Sequence, residues 1–188
     1  MSPYPYQSSV TGRKDIPAGP GKLWKRIPSE RRMAAVEAFW HDDEAVEQQA
    51  EALLAIASHL RFRPKTVRTL PLEKRVRYTA ALPTVSDAVA GRILVSYHLA
   101  HQRPMLGAFL DLLGIAHDNG VLAGDEIKAP EAEKLKDAAG KLLAQFPKED
   151  VELYFLTLFV QDPETWGGLL DILEEKSGPE GMETGTEK

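Results

Sequence analysis

Six prolines set the limits on this chain. Pro28, Pro71, Pro104, Pro130, Pro147 and Pro163 each stand just ahead of a stretch whose apolar residues recur at helical spacing. Proline has no N–H to donate and clashes with the preceding turn, so it is tolerated at the start of a helix and breaks one elsewhere. An acidic side chain follows within the first turn at Glu30, Glu73, Glu131, Glu149 and Glu164, where the helix dipole favours negative charge. So many helix starts predict an all-α protein: a single globular bundle of six to eight helices over residues 23–176. A flexible Pro/Gly-rich arm is expected at 1–22 and a flexible acidic tail at 177–188.

The periodicity predicts individual helices. One spans Ser29 to Trp40, with Met33, Val36, Phe39 and Trp40 on one face; a second starts at Asp42 or Asp43 and buries Val46, Leu53, Leu54, Ala57 and Leu60. These two are expected to pair as an antiparallel hairpin. Residues 61–70 read ambiguously, and Pro71 opens a helix that ends near Leu82. Thr84 or Ser86 caps a helix carrying Val85, Val89, Ile93 and Tyr97, and the next, over 104–116, is apolar except along Gly107, Asp111 and Gly114. A helix apolar on most sides belongs at the centre. Residues 151–160 would suit a buried strand by propensity but lack partner strands, so they are read as helix, and Asp162 caps the last helix.

Composition removes several chemistries. With no cysteine there is no disulfide, no thiolate nucleophile and no sulfur-based metal site, so any metal would need His, Asp or Glu. The first residues lack the apolar segment of a signal peptide and no apolar run approaches the ~20 residues that span a bilayer, so a cytoplasmic setting without membrane contact is expected. A Gly-rich phosphate loop, a GxSxG elbow, an HExxH pair and paired Glu-x-x-His helices are all missing. The first expectation for function is therefore a non-enzymatic scaffold or protein-interaction module without a cofactor.

Two alternatives rest on particular residues. His98 and His101 are three apart on one helix face, and together with His117 and Asp118 they form a candidate divalent-metal set. Helix geometry works against it: a helix over 104–116, at ~1.5 Å per residue, would carry His117 roughly 20 Å away from the other two. The segment LLGIAHDNG, which holds His117-Asp118, resembles the His-Asp segment of HD-domain phosphohydrolases. That resemblance implies an all-helical metal-dependent phosphate-ester hydrolase, with His98 or His101 upstream and Asp162 downstream as further ligands. The same loop also aligns with a calcium-binding EF-hand through Asn119, Gly120, Leu122 and Glu126, but Ile115 and His117 fall on the first and third ligand positions.

The second alternative is an anion- or nucleic-acid-binding regulator. Arg61, Arg63, Lys65, Arg68, Lys74, Arg75 and Arg77 meet a single acid, Glu73, and Phe62 and Tyr78 could stack on bases. Residues 1–80 hold 14 Lys/Arg against 9 Asp/Glu, while the remainder holds 9 against 19, within a net charge of -5. Pairing of the basic stretch with the acidic half is the competing expectation.

Overall fold

The computed structural model describes residues 16–124 and 127–177. Among them are eleven α-helices and one two-stranded hairpin, so the protein is all-α. Eight of the helical regions coincide with those expected. The larger number arises from α1 (Pro20–Arg26), α4 (Pro64–Arg68) and the division of the last helix into α10 (Pro163–Trp166) and α11 (Gly168–Ser177). No helix among the described residues is long and apolar enough to cross a membrane.

The prolines act in two ways. Pro64 and Pro163 are the first residues of their helices. Pro28, Pro71 and Pro147 instead precede α2 (Ser29–Trp40), α5 (Leu72–Ala81) and α9 (Lys148–Gln161) as extended N-caps. There the proline carbonyl accepts the first helical N–H, from Arg32 at 2.9 Å, Arg75 at 3.1 Å and Val151 at 3.1 Å. The missing proline N–H costs nothing at that position. Segment 151–160 is helical throughout.

The arm expected at 1–22 is shorter than that. Pro17 and Gly19 are buried, α1 begins at Pro20, and the Gly21 N–H donates to Asp87 Oδ1 at 2.8 Å. Leu23 and Trp24 then enter the core. Residues 1–15 and the tail at 178–188 lie outside the described residues.

Two apolar clusters make up the interior. The first gathers α1, α2, α3 (Val46–Leu60), α4, α5 and α6 (Asp87–His101) around Trp24, Phe39, Ile56, Ile93 and Leu94. The second gathers α7 (Arg103–Leu113), α8 (Ala132–Gln145), α9, α10 and α11 around Phe109, Leu142, Phe155 and Leu169. They meet along α6 and α9: Leu153 packs into the first cluster, Gln161 Nε2 donates to the Gly91 carbonyl at 3.1 Å, and Arg31 on α2 lies 3.0 Å from Asp150. Ser86, not Thr84, caps α6 by accepting from the Val89 N–H. Of the stripe expected on this helix Val89, Ile93 and Tyr97 are buried, while Val85 precedes the helix and is half-buried; α7 buries Met105, Leu106, Phe109, Leu110 and Leu113.

α3 departs from its expected arrangement. It packs on α4, α5 and α6 instead of pairing with α2, and its buried residues are Ala52, Ile56 and Ala57, with Ala45 just before it. Val46 and Leu54, expected inside, are 64% and 58% exposed. Alanines let the helix axes approach closely, and on a helix apolar around most of its circumference that small-residue face is the one the neighbours cover.

Candidate functional site

The expected histidine set is dispersed. His98 is buried between α6 and α9, its Nδ1 2.6 Å from Gln102 Oε1 and its Nε2 3.0 Å from Thr157 Oγ1, with the ring edge-on to Tyr97 and Tyr154. Burial is the main influence on its basicity and lowers the imidazole to about 4, outweighing the hydrogen bond to Gln102, which favours the charged form. The ring is therefore neutral near pH 7. His101, one turn on, is exposed and stacks obliquely on Tyr97.

His117 does not lie at the far end of α7, as a helix over 104–116 would require. The helix stops at Leu113 because Gly114 takes the left-handed conformation, with φ +67°, and turns the chain back. Strand β1 (His117–Asp118) pairs antiparallel with β2 (Val121–Leu122) through Asn119 and Gly120, both at positive φ as a two-residue type I′ turn needs. The hairpin folds over the start of α7: a Cβ on Gly120 would meet Leu106 Cβ at 2.9 Å, and one on Gly107 would lie 3.5 Å from the His117 ring. His117 Nδ1 accepts the Gly120 N–H at 3.1 Å, and Nε2 lies 3.1 Å from Asp111 Oδ1.

These bonds give His117 a role in shaping the hairpin, while Asp118 is exposed. Among the described residues no three His, Asp or Glu side chains stand together as a group able to hold a metal ion. The segment aligned with a calcium loop folds as this hairpin, and its Glu126 lies outside the described residues.

One cleft lined by several charged side chains was not foreseen as a unit. About 630 Å³ in volume, it is lined by Glu37, His41, Asp42, Arg92, Ser96 and His101, among others. At its base Arg92 grips Asp42 with two fingers, Nε to Oδ2 at 2.8 Å and Nη2 to Oδ1 at 2.8 Å. Ser96 Oγ donates to Asp42 Oδ2 at 2.5 Å, and Arg92 also reaches Glu44 at 3.2 Å.

Burial acts to raise the Asp42 carboxyl, but the hydrogen bonds from Arg92, Ser96 and the Glu44 N–H together hold it below the ordinary carboxylate range. A carboxylate so fully engaged is a clasp between the α2–α3 corner and α6, with no free lone pair for general-base work. Exposed ion pairs contribute little, but this one is bidentate and its side chains are only 15% and 21% exposed. A double-mutant cycle on Asp42→Ala and Arg92→Ala is expected to give a coupling of about 2 kcal/mol in urea unfolding; a coupling below about 0.5 kcal/mol would reduce the clasp to a surface pair.

The basic stretch forms a face. Arg61 ends α3 in the left-handed conformation, Arg63 precedes α4, and Lys65, Arg68, Lys74 and Arg77 project from α4 and α5; all six are exposed. Arg75 departs from the set. It lies half-buried over the Trp40 ring at 5.0 Å, beside the Trp40 Nε1 bond to Thr79, and so serves the fold. Arg77 rests over Tyr78 at 5.5 Å. Among the described residues the expected pairing of this stretch with the acidic half is not seen: none of the seven has an ion pair there, and the halves are joined instead by Arg31 with Asp150 and Glu149 and by Arg92 with Asp42 and Glu44. Compared with protein-family models, curated proteins and solved structures, the chain matches none.

Proposed function

We propose that this is a cytoplasmic, non-catalytic helical interaction module that binds a polyanionic partner on the α4–α5 corner. The observation that carries this reading is the density of unneutralised charge. Six exposed cations fall within seventeen residues of chain, none with an ion pair among the described residues, in a protein whose net charge is -5. Leaving like charges together costs free energy through repulsion, and a polyanion relieves it while releasing its counterions.

Proline at 64 and 71 divides the face into two short helices, so it suits backbone charge better than a base-reading helix placed in a groove. The absence of cysteine accords with a reducing compartment. The hydrolase reading draws no support from the positions of His98, His101, His117 and Asp118.

The test is binding of fluorescent single-stranded oligonucleotides, and separately of polyglutamate, across a salt series. The expected result is an affinity that falls with salt, and that drops about tenfold or more when Arg68, Lys74 and Arg77 are together changed to Gln. Preference for the oligonucleotide assigns a nucleic-acid partner, and equal binding assigns a general anionic surface such as an acidic protein. No binding of either at low salt, or binding unaffected by the triple change, overturns the proposal.

A further inference from the structure

The outward face of α3 carries apolar side chains that nothing covers among the described residues. Val46, Ala50 and Leu54 follow at four-residue spacing and are all exposed, and Phe62, 44% exposed, lies just past the helix end, beyond the left-handed Arg61. Three of the six exposed large hydrophobic residues thus belong to one short stretch, which sets it apart from scattered surface apolarity.

The flanking charges are ordered along the chain, acidic toward the start of α3 and basic at and beyond its end. Only Glu47 and Glu51 are on α3 itself: Asp43 precedes the helix, Arg61 is its left-handed C-cap, and Arg63 and Lys65 follow that turn. All six are exposed and have no ion pair among the described residues.

We infer that α3 is a self-association surface, on which a second copy of this chain docks its own α3 antiparallel about a two-fold axis through Leu54. A two-fold interface must be self-complementary, so that residue i meets residue j and j meets i. With Leu54 facing Leu54, Ala50 falls opposite Ser58, and the Glu47 end of one α3 meets the Arg61 end of the other. The apolar stripe and the opposite charges at the two ends of α3 suit the same antiparallel arrangement. The small side chains at Ala50 and Ser58 let the helices approach closely, as packed helix pairs require.

An acidic foreign surface would be repelled by Glu47 and Glu51, and a basic one by Arg61 and Arg63; a second copy in reverse satisfies both ends. One helix pair buries less than the ~1,200–2,000 Å² of stable specific interfaces, so the affinity belongs in the micromolar range.

This inference does not depend on anion binding, whose test turns on Arg68, Lys74 and Arg77. Sedimentation velocity of the full chain over about 1–200 µM is expected to show a reversible monomer–dimer equilibrium. Leu54→Glu, which sets two carboxylates against each other on the axis, is expected to weaken it at least about tenfold while leaving the circular dichroism melt unchanged, since Leu54 lies outside the core.

Glu47→Arg and Arg61→Glu are each expected to weaken association alone. Mixed in equal amounts, the two variants restore it, because each end of the mixed dimer then joins opposite charges. A chain that stays monomeric at about 200 µM, a Leu54→Glu variant that dimerises like the parent, or a mixture no tighter than its components overturns the inference.

Discussion

Phe109→Ala is expected to lower the unfolding free energy by about 4 kcal/mol, and the melting temperature by about 10 °C. Phe109 is fully buried on α7, and its ring centroid lies 5.2 Å from Phe155, 5.7 Å from Tyr154 and 6.0 Å from Trp166. It is the side chain through which α7, α9 and α10 share one interior. Truncation removes the transfer free energy of the ring and leaves a void that aromatic neighbours on two other helices cannot close by a small shift.

Met33→Ala provides the contrast. Met33 shares α2 with Val36 and Phe39 but is 40% exposed, so its loss is expected to stay near 0.5 kcal/mol. Urea unfolding of both variants checks the pair. A Phe109→Ala cost below about 1 kcal/mol would mean that α7 is not central to the second cluster.

What the sequence disclosed and what it hid divide along a physical line. Ser29–Trp40 came out to the residue because Pro28, Glu30 and the apolar stripe are local signals. Ser86 and Asp162 were legible as caps for the same reason, and each accepts an N–H three residues on. The Asp42–Arg92–Ser96 clasp joins residues fifty or more apart, and nothing along the chain connects them.

Asp42 already had an adequate local role, which it also performs by accepting the Glu44 N–H at 3.0 Å. The one available hint was the four-residue spacing of Arg92 and Ser96, two polar groups in the apolar middle of the helix. Periodicity also could not say which side of α3 would be covered, because Val46 and Leu54 form one apolar line and Ala52 and Ile56 another. Close approach through alanine decides it, and that depends on the shape of the neighbouring helices. The position of His117 turned on one backbone conformation, the left-handed Gly114, which reverses the chain where a continued helix would have carried it away.

His98 yields the other large effect, a loss of stability in mild acid. Its folded-state value of about 4 lies below the ordinary 6.5, so between those two values the unfolded chain binds a proton that the folded chain does not. Stability therefore rises with pH across that window: it is fully present above about 6.5 and is lost as pH falls toward 4, by about 3 kcal/mol in total. The neutral ring keeps one N–H, which donates from Nδ1 to Gln102 Oε1 at 2.6 Å, while the Thr157 hydroxyl, 3.0 Å from Nε2, shares its single hydrogen between Nε2 and the Leu153 carbonyl at 2.8 Å. Arg31 adds its charge in the same direction as burial.

The effect is read by urea unfolding at pH 7.5 and 4.5 for the parent and for His98→Gln, which keeps a polar group but cannot titrate. Carboxylate titrations are common to both proteins and cancel in the difference, so the parent is expected to lose about 3 kcal/mol more than the variant. Equal losses, or a His98 ring seen by NMR to titrate at its ordinary value, would show that the imidazole is not held neutral by the packing of α6 against α9.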